Sequence, residues 1–288
     1  MGSTRRHSAA GGVSLSCIEA GPEGGPLVIL LHGFPEDAQS WGVQIEALAA
    51  AGFHVLAPDQ RGYADSDKPK GVAAYGVDIL ADDIIALAVG LGYERFDLVG
   101  HDWGGAVAWW VALRNPERVR RLGILNAPHP VAMGQYLRSS ASQRRHSAYI
   151  AYFQLPILPE LSLSAGGFAA LRRSLTRSSR PGAFSAATLD RYRRQWGRPG
   201  ALTAMLNWYR ALKIKPRARP SNRITMPTLM LWGAGDAFLE RGLAEACAQM
   251  CDDVRLVFLE DATHWVLHEA PQAVTAALVP FLDQAAMA

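Results

Sequence analysis

The run FDLVGHDWGGA limits the fold of this chain more sharply than any other stretch. An apolar strand, Phe96 to Val99, leads directly into Gly100-His101-Asp102-Trp103-Gly104-Gly105. A helical pattern follows from Ala106 to Asn115 and stops at Pro116. The glycines let backbone pass close by, so the chain can turn from strand to helix within a few residues. The side chain at the apex, Asp102, then stands exposed over a helix N-terminus whose dipole favours its anion. A serine there suits attack on an ester or amide. A carboxylate suits attack on a saturated carbon with a departing oxygen or halide, and the product of that attack is an alkyl ester on the protein. Asp before Gly-Gly also occurs in plain turns, so Asp102 needs partners before it reads as a nucleophile.

Such a nucleophile requires a base to activate the water that cleaves its ester, and the base requires an orienting acid. RLVFLEDATHWV puts His264 just beyond an apolar run and a short polar stretch. PTLMLWGAGDAFL puts Asp236 just beyond another apolar run and Gly233-Ala234-Gly235. The chain order is nucleophile, acid, histidine, as expected after a strand-to-helix elbow of this type. The rival acid position, after the strand ending at Leu125, holds Asn126, and an amide carries no charge. His32-Gly33-Phe34-Pro35-Glu36 follows the run Leu27 to Leu31. Gly33 lets that loop approach Asp102, so the backbone amides of Phe34 and Trp103 are expected to form an oxyanion hole. The Trp103 side chain reads either as a pocket wall or as a halide donor. The polar loop DQRGYADSDKP reads as scaffold, braced by a pair between Arg61 and Asp65.

Short apolar runs alternate with longer helical patterns along most of the chain, which calls for a largely parallel sheet covered on both faces. Strands are expected at Val13 to Glu19, Leu27 to Leu31, Phe53 to Ala57, Phe96 to Val99, Leu122 to Leu125, Thr228 to Leu231 and Val254 to Leu259. After Asn126-Ala127-Pro128-His129-Pro130 the rhythm breaks. Helix-like pieces rich in Tyr, Trp, Leu and Arg follow, divided by Pro156, Pro159, Pro181, Pro199 and Pro216. The expected architecture is therefore α/β, with a core from residues 1–130 and 221–288 and an inserted helical cap over 131–220. A cap of this kind shields the nucleophile from bulk water.

With 288 residues, 49% of them hydrophobic, the chain can build one substantial core. Three cysteines imply no disulfide framework. Cys247 and Cys251 read as small apolar fillers rather than metal ligands, and neither metal nor cofactor is expected. The N-terminal MGSTRRHSAAGG lacks the apolar stretch of a secretory signal, and nothing approaches a membrane span, so a cytoplasmic protein is the expectation. Arginines crowd the cap region, with Glu160 and Asp190 as its acids. That pattern reads as a solvated helical face, and no nucleic-acid partner is expected. Oligomeric state, including a homodimer, is not readable here.

A departing oxygen needs an acid opposite Asp102, and tyrosine carries its proton at neutral pH. Tyr149, Tyr152, Tyr192 and Tyr209 all qualify on these grounds. Over essentially its whole length the chain resembles the epoxide hydrolases of the α/β-hydrolase superfamily. The resemblance rests on HGFPE (32–36), DQRGYADSD (59–67), GHDWGG (100–105), LNAPHP (125–130), YIAYFQLP (149–156), NWYR (207–210), GAGD (233–236) and DATHW (261–265). It implies an α/β-hydrolase fold with a cap, and conversion of a small-molecule epoxide and water to a vicinal diol. It implies Asp102 as nucleophile, His264 as base, Asp236 as acid, and Tyr149 and Tyr209 as proton donors. Tyr152 is the fallback for the first donor, because His146-Ser147-Ala148 stands where relatives often carry a bulky aromatic. Trp103 and Trp265 are expected on the pocket wall, and the Phe34–Pro35 bond is expected to be cis. Haloalkane dehalogenases share the Asp-Trp region and remain the alternative. They usually carry a polar halide donor at the position of Phe34.

Overall fold

The computed structural model describes residues 3–283. Eight strands form one sheet: β1 (Thr4–Ala10), β2 (Val13–Ala20), β3 (Leu27–Leu31), β4 (His54–Pro58), β5 (Phe96–His101), β6 (Val119–Leu125), β7 (Thr228–Gly233) and β8 (Val254–Leu259). Their order across the sheet is β1-β2-β4-β3-β5-β6-β7-β8. The pairs β1/β2 and β2/β4 are antiparallel, and every pair from β4/β3 to β7/β8 is parallel. Strands β3, β4, β5 and β7 are buried along their full length, as continuous apolar runs covered on both faces should be. Helices α1 (Gly42–Ala50), α2 (Val77–Gly90) and α3 (Trp103–Arg114) pack against the sheet. A second group, α10 (Arg241–Ala248), α11 (Val266–Glu269) and α12 (Pro271–Asp283), follows the return of the chain.

Strand β1 went unread in the sequence. Its residues, TRRHSAA, are polar and mostly exposed, because it is an edge strand paired on one side only. It closes a hairpin through Gly11 and Gly12, both at positive φ. Helix α3 begins at Trp103, three residues before the apolar periodicity starts, since the glycines after Asp102 carry no hydrophobic signal.

Between β6 and β7 the chain leaves the sheet. It runs through α4 (Pro130–Ser139), α5 (Ala141–His146), α6 (Tyr149–Phe153), α7 (Leu158–Ser178), α8 (Ala186–Trp196) and α9 (Ala201–Arg210). Helix α7 is interrupted by Gly166, Gly167 and Phe168, all in left-handed geometry. Indole donors fasten this helical insertion to the loops below it. Trp196 Nε1 donates to the Pro35 carbonyl at 2.6 Å, and Trp208 Nε1 to the Arg61 carbonyl at 3.0 Å. Charge crosses the same seam. Arg191 reaches Asp37 at 3.2 Å and Arg198 reaches Asp65 at 2.5 Å. The expected Arg61–Asp65 brace is therefore absent. Arg61 is buried and holds Asp83 of α2 through two bonds of 2.8 and 2.6 Å, while Asp65 faces the insertion. A buried guanidinium demands a bidentate partner, and Asp83 provides one where the partly exposed Asp65 does not. Some of the arginines read as a solvated face are thus paired across the seam.

Among the described residues no helix is long and apolar enough to cross a membrane.

Candidate active site

Asp102 sits where β5 ends and α3 begins, at φ 50° and ψ −121°. A non-glycine residue rarely adopts this geometry, and tight packing around it keeps it there. A Cβ on Gly104 would lie 2.2 Å from the Leu31 carbonyl oxygen, so only glycine lets α3 start this close to β3. A Cβ on Gly33 would lie 2.6 Å from the Cβ of Asp102. That missing side chain brings the β3 loop to the carboxylate, and the Phe34 amide donates to Asp102 Oδ1 at 2.8 Å. The Phe34–Pro35 bond is cis. Trp103 supplies the first residue of α3, and its indole packs edge-on to Trp208 and Tyr209 of α9.

His264 and Asp236 come from the loops after β8 and β7, the same end of the sheet as Asp102. Parallel strands place all three loops on one edge, so residues far apart in sequence converge. His264 Nδ1 lies 2.7 Å from Asp236 Oδ2, and Nε2 lies 3.4 Å from Asp102 Oδ2. Asp236 is itself held rigidly. Its Oδ1 accepts from the Phe238 and Leu239 amides at 2.7 and 3.1 Å. Its Oδ2 also accepts from Asn126 Nδ2 at 2.7 Å. Asn126, passed over as an acid, orients the acid instead.

Charges shape this site. Burial alone lifts a carboxyl pKa, yet His264, His101 and the Phe34 amide hold that of Asp102 below its ordinary value. His264 moves the other way. Burial disfavours its cation, but the charges of Asp236 and Asp102 outweigh that and raise its pKa. One histidine therefore lies between two anions.

A second buried cluster stands behind the first, and sequence reasoning missed it. His101 Nε2 lies 2.8 Å from the His264 carbonyl, and its Nδ1 lies 3.1 Å from Glu36 Oε2. Both ring nitrogens are therefore engaged, which fixes the ring between Glu36 and the His264 backbone. Glu36 Oε1 takes His268 Nε2 at 2.6 Å and the Tyr192 hydroxyl at 3.1 Å. Despite full burial, these two histidines hold the Glu36 carboxyl well below its usual range. The signal was present in HGFPE and GHDWGG, but nothing local showed that Glu36 and His101 meet.

The insertion covers the carboxylate with aromatic residues. Tyr149 of α6 and Tyr209 of α9 pack with ring centroids 5.9 Å apart. Burial pushes both phenol pKa values upward; the nearby charge of Asp102 adds to this for each, so both protons stay in place. Two cavities meet at this point. One of about 320 Å³ is walled by Trp103, Trp110, Met133, Ile150 and Leu239. The other, of about 160 Å³, is walled by Phe34, Phe153, Leu171, Leu175 and Trp265. Asp102, Tyr149, Tyr209 and Phe238 line both. Tyr152 lines neither. Its hydroxyl lies 2.5 Å from Ser162 Oγ, at the start of α7. Trp265 does reach the wall, with Nε1 donating to Ser178 Oγ at 2.9 Å.

Comparison with known proteins places this geometry in context. The family model described as the alpha/beta hydrolase fold matches residues 26–271. The AB hydrolase superfamily protein YfhM of Bacillus subtilis (strain 168) is 45% identical over 271 residues, covering 94% of this chain and 95% of that protein. Epoxide hydrolase 3 of Xenopus tropicalis is 36% identical over 283 residues, covering 95% of this chain and 76% of that protein. The crystal structure of a Bacillus megaterium epoxide hydrolase superposes with a TM-score of 0.87 at 30% identity, over 96% of this chain and 100% of that one.

Proposed function

The chain belongs to the epoxide hydrolase family of the α/β-hydrolase superfamily, and from that premise we propose that it opens epoxides through a covalent ester on Asp102. One observation carries the proposal. The two oxygens of Asp102 differ: Oδ1 is occupied by the Phe34 amide, while Oδ2 faces His264 at the junction of two apolar cavities.

In the first half-reaction Oδ2 attacks an epoxide carbon and the ring C–O bond breaks. The leaving oxygen becomes an alkoxide, which the hydroxyls of Tyr149 and Tyr209 stabilise and protonate. The apolar surround strengthens those hydrogen bonds by excluding water. The insertion over 131–220 serves as the lid that does so.

In the second half-reaction His264 removes a proton from water, and the water oxygen adds to Cγ of Asp102. The amides of Phe34 and Trp103 stabilise the oxyanion. Collapse expels the diol oxygen, which takes the proton from His264. The regenerated carboxyl then ionises and its proton passes to His264, which restores the starting enzyme. Alkylation also switches the base on. Free Asp102 favours the cation of His264; once esterified, Asp102 has no charge, so the pKa of His264 falls, its proton returns to the tyrosine that protonated the alkoxide, and the neutral ring can accept one from water.

Replacing His264 tests the reading. His264→Gln keeps the nucleophile but removes the base. Mixed with a styrene-oxide-like substrate, the variant is expected to gain the mass of one substrate on the peptide containing Asp102 and to release no diol. Bound substrate with an unchanged protein mass would refute a covalent path. Asp102→Asn is expected to lose about ten-thousandfold in turnover. Chloride release from a chloroalkane, with no diol from any epoxide, would shift the reaction to dehalogenation.

A further inference from the structure

The outer surface of the insertion combines two features that the reaction itself does not require. Residues 131–220 contain 16 lysines and arginines against Glu160 and Asp190, while the rest of the chain holds 13 basic and 24 acidic residues. The molecule is therefore strongly bipolar although its net charge is only +3. Among the described residues, six of the eight exposed large hydrophobics also belong to this insertion: Leu155, Ile157, Leu158, Leu161, Leu212 and Ile214. Ile157 is 68% exposed and Leu161 63%.

Ile157, Leu212 and Ile214 adjoin one another, and Leu155, Leu158 and Leu161 flank Ile157 along the chain. Ile157, Lys213 and Ile214 line one surface groove, with the Glu160–Arg210 ion pair at its base. Apolar and basic residues alternate in Leu212-Lys213-Ile214-Lys215, and all four are exposed. Leu212 and Ile214 also line the 320 Å³ cavity, so the apolar patch is the rim of its mouth. Exposed apolar patches on single chains mark surfaces for proteins or membranes. Cationic charge around such a patch suits a surface that is anionic outside and apolar beneath.

We propose that this face docks on anionic phospholipid bilayers, with Ile157 and Leu161 entering the acyl boundary and Lys213 and Lys215 meeting the headgroup phosphates. The cavity mouth then opens onto the bilayer, where apolar molecules accumulate. Direct uptake of apolar epoxides from lipid rests on the epoxide reading above; docking itself does not.

The test is sedimentation with vesicles of phosphatidylcholine, alone or mixed with phosphatidylglycerol, in the absence of substrate. The protein is expected to pellet with the mixed vesicles, less so as salt rises, and to stay in solution with phosphatidylcholine alone. Lys213→Gln with Lys215→Gln should weaken partitioning about fivefold per charge. Ile157→Ser with Leu161→Ser should weaken it about tenfold or more. Thermal melting and turnover of a small water-soluble epoxide should match the unmodified protein in both double variants. Protein that stays in solution with mixed vesicles overturns the proposal, as do variants that bind undiminished. Light scattering that shows a dimer, dissociated by Ile157→Ser with Leu161→Ser, also overturns it and assigns the patch to a second copy of the chain. Absence of epoxide turnover would sink the proposed function and leave the vesicle result standing.

Discussion

The core and the helical insertion contribute to one site by different physical means. In the core each reactive group is held by directional bonds. Asp102 is fixed by its turn geometry and the Phe34 amide, and Asp236 by two amides and Asn126. His264 is fixed by Asp236 through its ring and by His101 through its carbonyl. In the insertion, Tyr149 and Tyr209 are positioned mainly by aromatic packing: Tyr149 edge-on to Phe153 and Phe238, Tyr209 edge-on to Phe34 and Trp103. Hydrogen bonds define position within tenths of an ångström, whereas packing contacts adapt when neighbours change. In the proposed mechanism the core thus suits the step with the strictest geometry, addition of water to the ester. In the same mechanism the insertion suits recognition of variable apolar substrates and donation to a departing oxygen.

This division makes the two regions separable by kinetics. The largest effect is expected from Tyr149→Phe combined with Tyr209→Phe. Each change keeps the ring, so the fold should persist and the melting temperature should stay near that of the unmodified protein. Stopped-flow alkylation should nearly vanish in the double variant and fall about ten- to thousandfold in either single one, since one hydroxyl compensates partly for the other. A double variant that alkylates normally but hydrolyses slowly would break the comparison.

Asp236→Asn should act on the other half. His264 loses the anion that orients it and stabilises its cation, so ester hydrolysis should slow by about a hundredfold or more. Alkylation should change far less, and the ester should accumulate in single-turnover experiments. Slowed alkylation with normal hydrolysis would move Asp236 out of the role assigned to it.

The smallest effect concerns pH. Alkylation as proposed needs Asp102 ionised and the tyrosines protonated. The Asp102 pKa lies below its usual value and both tyrosine pKa values above theirs, so the alkylation rate should be flat across the neutral range. Hydrolysis needs neutral His264, whose free-enzyme pKa is raised by two anions. Its rate should climb as pH rises through the pKa left after Asp102 loses its charge. Asp236→Asn should shift that climb to lower pH. Identical profiles for the two steps would mean that one group limits both, contrary to the separation of core and insertion.

What was legible follows the same division. The elbow, the two loops carrying Asp236 and His264, and the approach of Gly33 are local patterns tied to strand ends. Strands that alternate with helices must run parallel, and parallel strands deliver their following loops to one edge. Six strands and the place where the sheet is interrupted were readable for that reason, and a seventh, Val13–Ala20, from its own alternating pattern. The eighth, Thr4–Ala10, was not, because an edge strand needs no hydrophobic run and its pairing is visible only in space.

Sequence alone therefore determined the parallel part of the sheet, the chain order of Asp102, Asp236 and His264, and the chemistry open to an aspartate at the turn. Those are properties of short segments: where apolar residues recur, where glycine must stand, which side chain carries charge. Tertiary structure alone decided which partners meet. Arg61 joined Asp83 rather than Asp65, Asn126 came to orient Asp236, and Glu36 met His101 and His268 behind the site. It also turned Tyr152 toward Ser162 and left Tyr149 with Tyr209 over Asp102. Three residues along a helix nearly complete a turn, yet the choice between those two tyrosines depends on how α6 is rotated against α9. Packing between distant segments sets that rotation, and no local pattern encodes it.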